Sequence, residues 1–103
     1  MLNPLQLAYV GDAVYELFVR TRLSEQGERM KNLHRMAVSR VNADAQSSAL
    51  DRISDLLTET EQDVVRRGRN AHAHHSAPKN AAKGAYPQAT GLEALLGYLF
   101  LSG

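Results

Sequence analysis

The sequence predicts an all-α fold, and three observations carry that expectation. Two strongly apolar stretches, Leu5 to Leu23 and Thr90 to Leu101, hold isolated carboxylates, with Arg20 and Arg22 at the end of the first. Between them apolar residues recur at helical spacing, first as Met30, Leu33, Ala37 and Val41, then as Ala45, Ala49, Leu50, Ile53 and Leu57. Residues suited to helix starts stand ahead of three of these runs: Asn3 with Pro4, Asn42, and Thr58 with Glu61. A chain of 103 residues suits one domain, residues 1–103, around a small core.

Taken in order, the first helix is the most apolar part of the chain's N-terminal half. From Leu5 to Val19 only Gln6, Gly11, Asp12 and Glu16 fall outside the hydrophobic set, which predicts a helix buried on most of its circumference. Ser24 to Glu28, with Gly27, closes it. A second helix is expected from about Arg29 to Val41, with one apolar face; His34 on it lacks an i,i+4 ligand partner and carries no chemistry. Asn42 caps a third helix through about Asp55, whose acids Asp44, Asp51 and Asp55 are solvated. The Thr58/Glu61 capping box opens a fourth that buries Val64 and Val65 and reaches Arg66 to Asn70. Residues 71–87 have two prolines, a glycine and no periodicity, so a loop is expected there, and a last helix from about Gln88 to Leu101. His72, His74 and His75 in that loop have neither a cysteine nor a helical scaffold to make a zinc site.

The isolated acids are what apolar packing does not explain. Asp12 and Glu16 are four apart and share a helix face; they either meet solvent and bases such as Arg20 or are held by a cation. Glu93 is the one charged residue of the last helix. Gly11 precedes Asp12, and Gly97 lies one turn after Glu93. Glycine costs about 1 kcal/mol in a helix interior relative to alanine, so two glycines beside two acids suggest helices crossing closely there. Such a crossing would bring Asp12 and Glu93 to one point, where a divalent cation relieves their repulsion. Oxygen-only ligation favours Mg²⁺ or Mn²⁺ over zinc.

At these residues the chain resembles a known family. The run YVGDAVYEL resembles the signature helix of the ribonuclease III catalytic domain, and LEALLGYLFL resembles its second acidic motif. With RRGRNA at 66 to 71 and PKN at 78 to 80, in that order, the pattern is most similar to the Mini-ribonuclease III branch, which has no double-stranded RNA-binding domain. The resemblance spans about Leu5 to Leu101. It implies a helical bundle of the ribonuclease III type, homodimeric, that cleaves double-stranded RNA in the cytoplasm with Mg²⁺, for which Mn²⁺ can substitute. Asp12 and Glu93 are then the catalytic, metal-binding pair. Arg67, Arg69 and Asn70, with Lys79 and Asn80, are implied contacts to RNA, and Tyr9 occupies the place of an aromatic that plugs into the partner subunit. Precursor 23S ribosomal RNA is the implied substrate, cut to 5′-phosphate and 3′-hydroxyl ends, with help from a ribosomal protein or the pre-ribosome. The chain departs from full-length ribonuclease III at Ala8 and Thr90, where that family has two further carboxylates. Chains of the branch run on past the last residue here, which leaves the C-terminal edge of the fold open.

Composition narrows the alternatives. The formal net charge is only +1, yet no acid occurs from Val64 to Leu92, while Arg66, Arg67, Arg69, Lys79 and Lys83 all fall there. No cysteine, no secretory leader pattern and no run of 18 apolar residues is present, which points to an intracellular protein off the membrane. Two other readings compete: a non-catalytic helical RNA-binding or ribosome-associated module, favoured by Ala8 and Thr90, and a helix-turn-helix DNA binder, which lacks a basic recognition helix after a short turn.

Overall fold

A computed structural model describes residues 2–26, 32–33, 35–37, 42–72 and 85–103, and every regular element among them is helical. Among the described residues, four α-helices have defined bounds: α1 (Pro4–Glu25), α2 (Ala43–Ile53), α3 (Glu59–His72) and α4 (Ala85–Ser102). A 3₁₀ turn, Ser54–Leu56, follows α2. Residues 32–33 and 35–37 are also helical, within the span where a helix is expected. The remainder of that span, His34 included, and residues 73–84 lie outside the described residues.

The predicted starts are in place. Asn3 caps α1 through a reciprocal box, in which Gln6 N donates to Asn3 Oδ1 at 2.9 Å and Asn3 N donates to Gln6 Oε1 at 3.0 Å. Asn42 Oδ1 accepts from Ala45 N at 2.8 Å. Thr58 and Glu61 close their box at 2.8 and 3.1 Å. Each cap satisfies backbone donors that the first helical turn leaves open. The expected loop at 71–87 is too long, because α3 runs on through His72 and α4 begins at Ala85. Pro87 falls in the first turn of α4, where its missing N–H has no helical partner to lose, so it does not stop a helix.

α4 is the central element. It packs against α1, α2 and α3, and its buried residues include Ala89, Leu92, Ala94 and Leu95. Leu7, Ala8 and Val64 surround Ala94, and Leu50 and Val65 surround Leu92 and Leu95. Ala37 packs on Val19 and Leu23 at the far end of α1. Glycine sets the separations. A Cβ on Gly11 would lie 1.6 Å from the Glu93 carbonyl oxygen, and one on Gly97 would lie 2.0 Å from that of Leu7, so α1 and α4 touch backbone to backbone. α3 crosses α4 through a second notch, where a Cβ on Gly68 would stand 3.0 Å from the Gly91 Cα. The sequence reading anticipates the first crossing and misses the second.

The expectation that α1 is buried on most of its circumference is corrected. Its buried residues are Leu7, Ala8, Gly11, Val19 and Leu23, which line one side. Tyr9 is 84% exposed and Leu17 68%, with Leu5 and Phe18 also open. An apolar residue count reports the wish to leave water but not what covers the residue, and one side of this helix has no cover within the described chain. Among the described residues no helix is long and apolar enough to cross a membrane.

Candidate active site

The α1–α4 crossing brings the two predicted acids together. Gly11 faces the backbone of Glu93 and Gly97, so the residue after Gly11 and the side chain one turn before Gly97 emerge beside each other. The carboxyls of Asp12 and Glu93 are near enough for Asp12 to act on Glu93. Asp12 is exposed, while Glu93 is half-buried. Of the two acids one turn apart on α1, the other behaves as an ordinary surface residue, since Glu16 forms an ion pair with Arg20.

The Glu93 carboxyl is pushed up from 4.5 to about 8, chiefly by burial and then by Asp12, first as a hydrogen-bond acceptor and second through its charge. The amide of Gln46 acts in the opposite direction and favours the ionised form. No base enters this balance among the described residues.

Gln46 is the residue that sequence reasoning missed. It lies on α2 with 2% exposure, and its Nε2 is the one buried side-chain nitrogen or oxygen among the described residues that makes no hydrogen bond of ordinary geometry. A signal was available. Gln46, Leu50, Ile53 and Leu57 follow one another at helical spacing, so Gln46 is the polar member of an otherwise apolar stripe.

The two departures from the four-carboxylate pattern are packing positions. Ala8 sits in the core with Leu7, Val64 and Ala94. Thr90 is buried, and its Oγ1 donates to the Tyr86 carbonyl at 3.0 Å within its own helix. Among the described residues no group of three or more His, Cys, Asp or Glu is placed to hold a metal ion.

The predicted RNA contacts are more dispersed. Arg67, Arg69 and Asn70 are all exposed on α3. Arg67 and Arg69 are two apart, about 200° around a helix, and they flank the buried ridge of Gly68 on opposite sides. Arg69 lines an open groove with Asp51, Asp55, Glu59 and Gln88, while Arg66 pairs with Asp63. The three residues therefore do not share one face of α3. Lys79 and Asn80 lie outside the described residues, as do the side chain of His72 and both other histidines of that segment.

The profile of the Ribonuclease III domain matches residues 5–103. The chain belongs to the ribonuclease III family. Within it, a Mini-ribonuclease 3 from Symbiobacterium thermophilum is 56% identical over 103 residues, covering 99% of this chain and 78% of that relative. One from Thermoanaerobacter is 50% identical over the same length, 99% of this chain and 72% of its own. A crystal structure of a protein from Fusobacterium nucleatum superposes with a TM-score of 0.89 at 30% identity, over 97% of this chain and 76% of that one. These likenesses place the chain with the Mini-ribonuclease III branch and make it an endoribonuclease of the ribonuclease III type, acting on double-stranded RNA. The non-catalytic module and the DNA binder are set aside on that ground.

Proposed function

We propose that the chain is a Mg²⁺-dependent endoribonuclease that cuts double-stranded RNA to 5′-phosphate and 3′-hydroxyl ends, with Asp12 and Glu93 as its catalytic, cation-holding pair. One observation carries the reading. Two carboxyls are brought beside each other at a helix crossing where, among the described residues, no base offsets Glu93, and its carboxyl is pushed up to about 8. A hard divalent cation supplies the missing charge, and two oxygen ligands suit Mg²⁺ or Mn²⁺, which retain several waters. When bound, such an ion polarises the phosphodiester and activates water near neutral pH.

The chain's own residues divide the remaining work. Asp12, being exposed, faces the side from which a duplex arrives, and half-buried Glu93 fixes the depth of the site. Arg67, Arg69, Asn70, Lys79 and Asn80 hold phosphates and 2′-hydroxyls, so that shape rather than base sequence is recognised. Because Arg67 and Arg69 lie on opposite flanks of α3, they reach different parts of the duplex. Precursor 23S ribosomal RNA is the proposed substrate, near its paired ends, in the cytoplasm and with a ribosomal protein or the pre-ribosome as helper. The unit of residues 1–103 acts as one catalytic domain. Incubation with a duplex and with its separated strands, each with Mg²⁺ and with EDTA, tests this. Cleavage confined to duplex plus Mg²⁺, with 5′-phosphate ends, is expected, and equal cutting of single strands would sink the reading.

Two strands need two sites, and a twofold homodimer supplies them. The open side of α1 suits that interface: Tyr9, Val10, Ala13, Leu17 and Phe100 line a shallow apolar groove beside Asp12. Tyr9 is not a core tyrosine, since 84% of it is exposed. Truncating a central interface aromatic commonly costs about 2 kcal/mol or more, so Tyr9→Ala is expected to weaken the dimer at least about thirtyfold and to lower cleavage with it. Sedimentation at several concentrations measures the first effect; a variant as dimeric as the native protein removes Tyr9 from the interface.

A further inference from the structure

We infer that Gln46 is a positioning residue of the cleavage site, whose side-chain amide donates to the Glu93 carboxylate and holds it turned toward Asp12. The inference rests on the proposed cation-holding role of Asp12 and Glu93 and adds a third element, α2, to a site otherwise built by α1 and α4.

The position argues against a packing role. Gln46 occupies the apolar stripe of α2, one turn before Leu50, and is 2% exposed. A buried amide donor without a partner costs free energy that a methionine of similar length would not. Leu50, one turn on from Gln46, packs against Leu92 and Leu95 on either side of Glu93, so the buried Nε2, which lacks a hydrogen bond of ordinary geometry, lies against the part of α4 that carries this carboxyl. An ionised carboxylate only accepts hydrogen bonds, so a donor beside it serves the form of Glu93 that can hold a cation. Asp12 cannot do this, because an ionised Asp12 accepts as well. The arrangement lets one oxygen of Glu93 be oriented by α2 while the other remains for the shared site.

The test separates orientation from packing by reading metal affinity and fold stability independently. Mn²⁺ binding is titrated calorimetrically, without RNA, for the native protein, Asp12→Asn, Gln46→Met and Gln46→Leu, and each metal-free protein is melted by circular dichroism. Residues that orient metal ligands typically contribute ten- to hundredfold in affinity. Both apolar variants are expected to bind Mn²⁺ at least tenfold more weakly than the native protein, with metal-free melting temperatures equal to or above native, because the unpartnered donor is gone. Having two apolar variants of different shape guards against one that folds poorly. Native affinity in either folded variant overturns the inference and leaves the Asp12–Glu93 site standing. Absence of Mn²⁺ binding by the native protein overturns both.

Discussion

Glu93→Gln is expected to reduce duplex cleavage by about a thousandfold or more, a loss on the order of 4 kcal/mol of transition-state stabilisation, while making the metal-free protein more stable. Asp12→Asn should reduce cleavage comparably. Because the two carboxylates hold one ion, the double variant should be little worse than either single one, as for residues that act as a unit. Single-turnover rates with excess enzyme measure all three. Retention of more than a tenth of native activity by either single variant would remove that residue from the reaction centre.

The stability gain in the same variant follows from the raised carboxyl. Glu93 titrates at about 8 in the folded protein against 4.5 ordinarily, so near neutral pH the fold retains a proton that the unfolded chain has released. Stability from this group is fully present below about pH 4.5 and is lost as pH rises through about 8. A tenfold difference in proton affinity corresponds to about 1.4 kcal/mol, and discounting for the solvent that reaches a half-buried group leaves about 2 kcal/mol in all. The metal-free native protein should therefore melt at lower temperature at pH 9 than at pH 5, and Glu93→Gln should flatten that slope. Saturating Mg²⁺ should reverse the ranking, because cation binding displaces the proton and stabilises only the protein that keeps the carboxylate. Melting curves with and without Mg²⁺ at both pH values give the comparison. An identical pH slope in native and variant proteins would mean that Glu93 is not strained.

The acids were legible because their neighbours break a local rule. Gly11 and Gly97 weaken the helices that contain them, and a close backbone approach is the reason a helix would carry that weakness, so the crossing and its carboxylates could be placed before any coordinates. Gly68 and Gly91 break the same rule, but Gly68 sits in the basic run RRGRNA, where chemistry drew attention from packing. Gln46 was hidden for the opposite reason: glutamine suits an exposed helix, and only its register with Leu50, Ile53 and Leu57 shows that it points inward. The burial of α1 was overestimated because sequence alone cannot separate residues that enter this chain's core from residues left for another surface. Leu17 looks no different in sequence from Leu7 and Leu23, and tertiary contacts alone distinguish them; Tyr9 stands apart only through the family resemblance.

Gly11→Ala is the substitution expected to damage the fold most. In an isolated helix, alanine would be favoured over glycine by about 1 kcal/mol. Here the new Cβ would fall 1.6 Å from the Glu93 carbonyl oxygen and 2.9 Å from the Gly97 nitrogen, and both are backbone atoms that cannot swing aside. α1 and α4 must separate by more than an ångström, which opens the core around Leu7, Ala94 and Val64. Overpacking costs of about 1–3 kcal/mol apply where side chains can yield; with backbone on both sides, a net loss of about 3 kcal/mol or more is expected. For a domain of this size that lowers the melting temperature by roughly 15 °C. Gly97→Ala should act alike, its Cβ lying 2.0 Å from the Leu7 carbonyl oxygen. Once one methyl has parted the helices, the second meets less resistance, so the double variant should lose clearly less than the sum of the two single losses. The same separation pulls Asp12 from Glu93, so Mn²⁺ affinity should fall alongside stability. A Gly11→Ala protein that melts within a few degrees of native and still binds Mn²⁺ at native affinity would show that the two helices are not locked at this distance.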